Sequence, residues 1–186
     1  DITSYQATLY SGYTTEKWYV EGMLAYASND IDTTRDLNFG GLALQAKGSH
    51  DADQYMMRFG GGVPIRLGSA AFLTPNASFQ WTHVESEIFT ETGAGNLNPT
   101  VTPEDIDVPM IQAGLRFHRV VNTSNGTVIP ELRVSVLYDL AGDEATSSSI
   151  FTGGGAAFTT TGADVAQLGG ALGIGVGDRI LCFENT

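Results

Sequence analysis

Residues 70–93 read AAFLTPNASFQWTHVESEIFTETG, and much of this stretch separates into two sets at alternate positions. Leu73, Pro75, Ala77, Phe79 and Trp81 form an apolar set; Thr74, Asn76, Ser78, Gln80 and Thr82 form a polar one. A period of two predicts a β-strand with unlike faces. The polar face carries neutral hydrogen-bonding groups where an exposed strand commonly carries Lys and Glu. Repeated along a chain, such strands predict a sheet whose apolar side meets lipid and whose polar side lines a lumen.

The pattern recurs. Tyr5, Ala7, Leu9 and Tyr13 oppose Gln6, Thr8 and Tyr10, and after a turn at residues 14–17, Trp18, Val20, Leu24 and Tyr26 alternate with Tyr19, Glu21, Met23 and Ala25. A rise of ~3.3 Å per residue and a tilt of ~40° put Trp18 and Tyr26 roughly 20 Å apart along a membrane normal, close to the height of a barrel's apolar band with an aromatic girdle at each edge. Residues 28–36 read as a polar loop and 37–47 as a weakly patterned strand. Over residues 55–67, Tyr55, Met57, Phe59, Val63, Ile65 and Leu67 face one way, and Arg58 and Arg66 the other. Gly60-Gly61-Gly62 interrupts that strand and marks a bend or close packing. Gly68-Ser69 predicts a hairpin turn.

Residues 85–107 read as a long polar loop over a rim. Ile111, Ala113, Leu115 and Phe117 then alternate with Gln112, Gly114, Arg116 and His118; beyond a turn at 122–127, Val128, Leu132, Val134, Val136 and Tyr138 oppose Glu131, Arg133 and Ser135. The pattern thins into Ser, Thr and Gly over 145–162. Residues 166–176 and 179–183, parted by Gly177-Asp178, predict one more hairpin. The fold expected is all-β: an antiparallel meander of about nine or ten strands, of a probable twelve, forming most of a transmembrane barrel. Short turns on one side of a membrane and long loops on the other should alternate. On this reading they fail to do so around residues 37–107.

Composition adds exclusions. The 186 residues fit a single, partial barrel domain spanning 1–186, and 42% apolar content is ordinary. No run approaches the roughly 20 apolar residues of a membrane helix, a test that barrels escape. A net charge of −12, from 21 acids against 9 bases, argues strongly against a nucleic-acid partner, which needs a basic footprint. The acids cluster between strands, as at Asp30, Asp32 and Asp36. The single cysteine, Cys182, rules out an intrachain disulfide.

Candidate chemistry is sparse. His50, His83 and His118 lie far apart in sequence, the aspartate pairs at 30/32, 51/53 and 105/107 lack calcium-loop order, and Gly153-Gly154-Gly155 lacks a P-loop lysine. Neither a metal nor another cofactor is expected. Two sets stand out instead. Glu21, Arg58, Arg66, Gln80, Arg116, Glu131 and Arg133 are the expected lumen-facing polar residues, charges of both signs able to neutralise one another across a narrow pore or to hold a threaded segment. Trp18, Tyr26, Phe59, Phe79, Trp81, Phe117 and Tyr138 are the expected lipid-facing and girdle residues.

Several runs carry a resemblance. Leu73-Thr74-Pro75, then Phe89-Thr90-Glu91-Thr92-Gly93-Ala94 with Asn96-Leu97, then Ala113-Gly114-Leu115-Arg116-Phe117, then Pro130-Glu131-Leu132-Arg133 and Leu137-Tyr138-Asp139, with Trp18-Tyr19-Val20, Tyr26 and Arg35 upstream, resemble the β-domain of bacterial autotransporters. The resemblance implies a twelve-stranded barrel in the bacterial outer membrane that anchors and helps export a passenger domain in type V secretion. Its implied partners are outer-membrane lipid, the passenger with its linker helix, and the barrel assembly machinery. It also implies that the helix and first strand or strands precede Asp1 and that the closing strand follows Thr186. Some family members cleave their linker with an acidic lumen residue, a role in which Glu21 or Glu131 can be imagined; a module without catalysis is the expectation. The alternatives are an independent porin-like or adhesion barrel and a soluble β-sandwich burying its apolar faces between two sheets. Detergent partitioning separates the barrels from the sandwich.

Overall fold

The computed structural model describes residues 1–124, 126–142, 144–163 and 165–179. Its strands are β1 (Ile2–Thr14), β2 (Tyr19–Phe39), β3 (Leu42–Gly62), β4 (Ile65–Leu67), β5 (Ala71–Ser86), β6 (Phe89–Thr90), β7 (Pro99–Pro103), β8 (Ile106–Arg119), β9 (Val121–Thr123), β10 (Gly126–Asp139), β11 (Thr146–Phe151), β12 (Phe158–Thr161) and β13 (Leu168–Arg179), with one 3₁₀ turn at Gly95–Leu97. A nine-stranded antiparallel sheet runs in the order β1-β2-β3-β5-β8-β10-β13, with the short β4 beside β5 and β9 beside β10. It curls into a half-barrel. The curl is tight enough for one cavity to be lined by residues from β1 through β13.

Seven strands make the wall, and three sequence expectations change. Residues 28–36 and 37–47 are not a loop and a separate strand: β2 and β3 are each 21 residues long and pair from Tyr19↔Gly62 to Phe39↔Leu42. Gly40 and Gly41, at φ of 56° and 81°, make the turn that only glycine adopts without strain. Counted this way, the connections alternate. Those around residues 15–18, 63–70 and 120–125 are short; the opposite side carries the projecting β2–β3 hairpin and the segments 87–105 and 140–167. Next, β3 runs through Gly60 and Gly61 to Gly62. There the glycine is a close approach, since a Cβ on Gly62 would lie 2.7 Å from the Tyr19 ring. Lastly, Gly177-Asp178 is no turn. Both residues pair with β10, opposite Ile129 and Val128, and residues 180–183 of the expected last strand lie outside the described residues, as does Cys182.

The stretches at 85–107 and 145–162 are also more ordered than their sequence suggests. They contribute β6, β7, β11 and β12 to a second sheet, in the order β12-β11-β7-β6. It continues the wall beyond the end of β5, along the projecting part of β3: Glu87 donates its N–H to the Asp51 carbonyl at 3.0 Å, and Lys47 and Thr92 exchange backbone hydrogen bonds at 2.8 Å. Phe89 stacks on His50 at 4.2 Å between ring centres and fills the space over Gly48. Arg35 reaches Glu91 at 2.6 Å and the Leu97 carbonyl at 3.3 Å. The run 89–97 that carried the resemblance is thus the joint between the two sheets.

Large apolar side chains do not gather inside. Among the described residues the buried apolar positions are Ala27, Ala46, Ala52 and Ala94 only. A soluble sandwich of this length would bury many Leu, Ile, Val and Phe side chains. Here those residues are displayed.

The Arg35–Glu91 pair generates a prediction. Glu91 is 9% exposed, so removing its partner leaves a buried carboxylate. Arg35 is more than a third exposed, so solvent compensates part of that loss, and Arg35→Met is expected to cost about 1–2 kcal/mol rather than the roughly 3–5 of a fully buried pair. Limited proteolysis should then cut within residues 87–105 faster than in the parent protein, with the wall strands still protected.

Candidate functional site: the concave face and the convex belts

Directly paired residues in an antiparallel sheet share a face, so register assigns every side chain. Glu21 pairs with Gly60, Arg58 with Gln80, Arg116 with both Thr74 and Arg133, and Glu131 with His118. Glu21, Arg58, Arg116 and Arg133 line one concave cavity of about 780 Å³ together with Tyr19, Thr74, Asn76, Gln112 and His118. Arg66 pairs with Phe72, which stacks on His118 at 5.0 Å, so it too lies on this side. All seven expected lumen residues therefore fall on the concave face.

Their pairing differs from neutralisation across the pore. The Glu131 carboxylate receives both Arg116 and Arg133, from its own strand and the one beside it. Arg116 and Arg133 are directly opposed in register, a like-charge pair that would repel without the carboxylate between them. Arg58 instead donates to the Gln112 amide oxygen at 3.3 Å, and its Nε, shielded from solvent, has no partner among the described residues. The Arg66 guanidinium sits over the Phe72 ring at 5.6 Å. Gln80 bonds Thr82 at 3.4 Å. Among the described residues, Glu21 makes no ion pair. The concave face is thus partly self-paired and keeps polar groups available for an occupant.

The other face is apolar. Val134 and Tyr138 are 49% and 41% exposed, and Trp18, Tyr26, Phe59 and Phe117 are exposed with them. Phe59 pairs with Phe79, and Trp81 with Met57 and Pro109, which puts all seven expected lipid-facing residues on this convex side. The belt at the long-loop end also holds Tyr55, already on the apolar side of its strand by sequence, and His83, which the sequence did not assign to the belt. Tyr55 packs against Tyr26 at 5.3 Å, and His83 stacks on Trp81 at 5.5 Å. Their polar tips turn to carboxylates: Tyr26 donates to Asp53 at 2.9 Å, Trp81 donates to Asp107 at 2.9 Å, and the His83 Nδ1 lies 3.0 Å from the same Asp107 oxygen. His83 shares the alternate positions of Trp81, the signal that could have found it. At the short-turn end Tyr13 meets Trp18 at 5.6 Å.

Beyond Tyr26 the convex side of the β2–β3 hairpin becomes Ser28, Asp30, Asp32, Thr34 and Asp36, opposite Asp53, Asp51, Ser49, Lys47 and Gln45. The switch from aromatic to acidic marks where the apolar band ends. Among the described residues, no group of three or more His, Cys, Asp or Glu side chains is arranged to hold a metal, and no helix is long and apolar enough to cross a membrane.

Glu131→Gln tests the arginine pairing. It leaves two opposed guanidinium groups with one neutral acceptor and is expected to cost about 1–3 kcal/mol at low salt, in urea unfolding from detergent. The loss should shrink as salt screens the repulsion. Arg133→Gln, which leaves the Arg116–Glu131 pair in place, should cost less.

Comparison with known proteins agrees with this geometry. The sequence model of the autotransporter beta-domain family matches residues 1–179. Among solved structures, the translocator domain of autotransporter NalP from Neisseria meningitidis is similar at a TM-score of 0.59 and 18% identity, over 96% of this chain and 68% of that one. A search of curated protein sequences returns no match. An apolar exterior, a polar interior and this family match lead to one assignment: the chain belongs to the autotransporter β-domain family, the translocator barrels of the bacterial outer membrane that serve a passenger domain in type V secretion.

Proposed function

We propose that the convex face meets the hydrocarbon of the outer membrane directly, that the concave face surrounds the linker of the passenger, and that the domain exports and anchors without catalysis of its own. One observation carries this reading: the apolar side chains of the wall point away from the curl, and the arginines and glutamates point into it. Such a surface in water would expose far more contiguous apolar area than soluble proteins tolerate. In lipid the same surface is the stable one, because every wall strand between the edges satisfies its backbone groups by pairing.

The free polar groups on the concave side support a threaded occupant. Arg58 and Glu21 offer charges of both signs, and the cavity is not filled by the wall's own side chains. The aromatic belts support a fixed depth in the bilayer, with their polar ends at the interface. Assembly of such a wall into a membrane fits a requirement for the barrel assembly machinery. Depletion of that machinery should leave the domain protease-sensitive in the periplasm.

The facing assignment has a direct test. Val134→Arg places a charge on the convex side near mid-wall and is expected to cost about 2–4 kcal/mol in a bilayer. Ser135→Arg, one residue on, points into the wet cavity and should cost much less. Urea unfolding from lipid vesicles measures both, and equal costs would remove the basis for the assignment.

A further inference from the structure

The division of side chains by face has one exception, in the part of the curl nearest the long connections. Toward the short turns the inward residues are those of the charged cavity. At its upper border Met23, Arg58, Gln80 and Met110 stand in a single register row. The next inward row is Ala25, Met56, Thr82 and Val108, and the one after it Ala27, Gln54, Val84 and Ile106. Leu137 shares their side through its pairing with Gln112. Three of the four methionines of the chain therefore point inward. Among the described residues, no Arg, Lys, Asp or Glu faces inward on β2, β3, β5 or β8 above Arg58 until Arg35 is reached. On β10, Asp139 is in register with Met110 and accepts from the N–H groups of Ala141 and Gly142 at 3.0 and 3.4 Å.

The convex belt locates this surface. Ala25 precedes Tyr26, Met56 follows Tyr55 and Leu137 precedes Tyr138, so the inward apolar residues sit directly behind the aromatic belt. Above them the surface continues through His50, stacked on Phe89 at 4.2 Å, to Val101 and Phe158. The six residues from Met56 to His50 span roughly 15 Å along the axis at the rise and tilt of barrel strands, the length of about ten residues of helix. The interior of an outer-membrane barrel is ordinarily polar, and an apolar side chain facing water gains nothing from its position. Met56, Val84, Ile106, Val108 and Met110 are each half-buried, so their packing against the wall leaves part of every one open to the lumen.

We propose that this inward surface is an apolar seat for the outer part of the passenger's linker, a segment with a carboxylate beside Arg58 and apolar side chains from there to the mouth. The inference rests on the concave face surrounding the linker. Lipid is kept from the surface by the wall itself, and a second copy of the domain is too wide to enter the curl. Only a segment running along the pore meets both the charged cavity and the apolar rows. The two join at Arg58, whose Nε is shielded from solvent and unpartnered among the described residues. Methionine, unbranched and adaptable, suits a seat along which a chain slides before it rests. Apolar contact around the linker also expels water from the pore and closes it to ions.

The test uses the full-length protein, passenger and linker included, in outer membranes. A photoreactive diazirine residue is placed singly at position 56 or 110, at 112 beside Arg58, and at 57 on the convex side, and crosslinked peptides are read by mass spectrometry. Positions 56 and 110 should mark apolar residues of the linker, 112 a stretch of it containing Asp or Glu, and 57 lipid only. In planar bilayers Met56→Gln/Met110→Gln should raise the resting conductance at least about threefold by wetting the seat, whereas Met56→Leu/Met110→Leu should leave it unchanged. Heat-modifiable migration checks that each variant is folded. Polar or charged linker targets for 56 and 110, a stretch without acid for 112, linker crosslinks from 112 alone, or unchanged conductance in the glutamine variant overturns the inference and leaves the threaded linker intact. Absence of linker crosslinks from every inward position, or linker crosslinks from 57, overturns both.

Discussion

The structure depends on one constraint: a backbone placed in hydrocarbon must satisfy all its polar groups by pairing, and side chains must then divide by face. A ladder of antiparallel strands meets the first demand, and a period of two meets the second. Everything else follows from that division. The apolar residues have no interior to retreat to, so among the described residues the usual core is replaced by a few alanines, Ala27 within the wall and Ala46, Ala52 and Ala94 near the joint of the two sheets. Polar residues that would be costly in lipid are gathered on the curl, where water or an occupant solvates them.

Charge is handled locally within that scheme. Glu131 holds apart two arginines that the register forces to face each other, so the most crowded part of the concave face is stabilised by neighbours on adjacent strands. Among the described residues, Arg58 and Glu21 lack such partners. The face is therefore neither inert nor self-sealed, which suits a wall that a polypeptide must pass along. At the other extreme of the molecule, the Arg35–Glu91 pair and the Phe89–His50 stack fasten the second sheet to the projecting hairpin, so the rim extends the wall instead of trailing from it.

What the sequence disclosed tracks the same constraint. Inside the apolar band the contrast between alternate residues is strong, and β1, β5, β8 and β10 were legible from Leu9, Phe79, Leu115 and Val134 and their polar neighbours. Outside the band that contrast disappears. Asn29, Thr33 and Arg35 on one side and Asp30, Asp32 and Thr34 on the other leave polar residues on both faces, with Ile31 the one large apolar side chain among them, so much of the upper part of β2 read as a loop although it pairs continuously with β3. The Ser- and Thr-rich strands β11 and β12 were hidden for the same reason. Facing of the site residues was legible because parity sets it. Their partners were not, because which residue lies beside Glu131 depends on register, and register is fixed by turns whose lengths the sequence left open.

The central claim is that the apolar face looks outward into lipid, and Trp18 and Trp81 report on it from the two edges of the band. The direct measurement is fluorescence quenching by brominated phospholipids in vesicles, with Trp18→Phe and Trp81→Phe variants isolating each signal. Both rings should be quenched strongly, and more by bromines near the headgroups than by bromines deep in the acyl chains. A Trp81 signal indifferent to bromolipid at every depth would place that ring away from the bilayer and contradict the account.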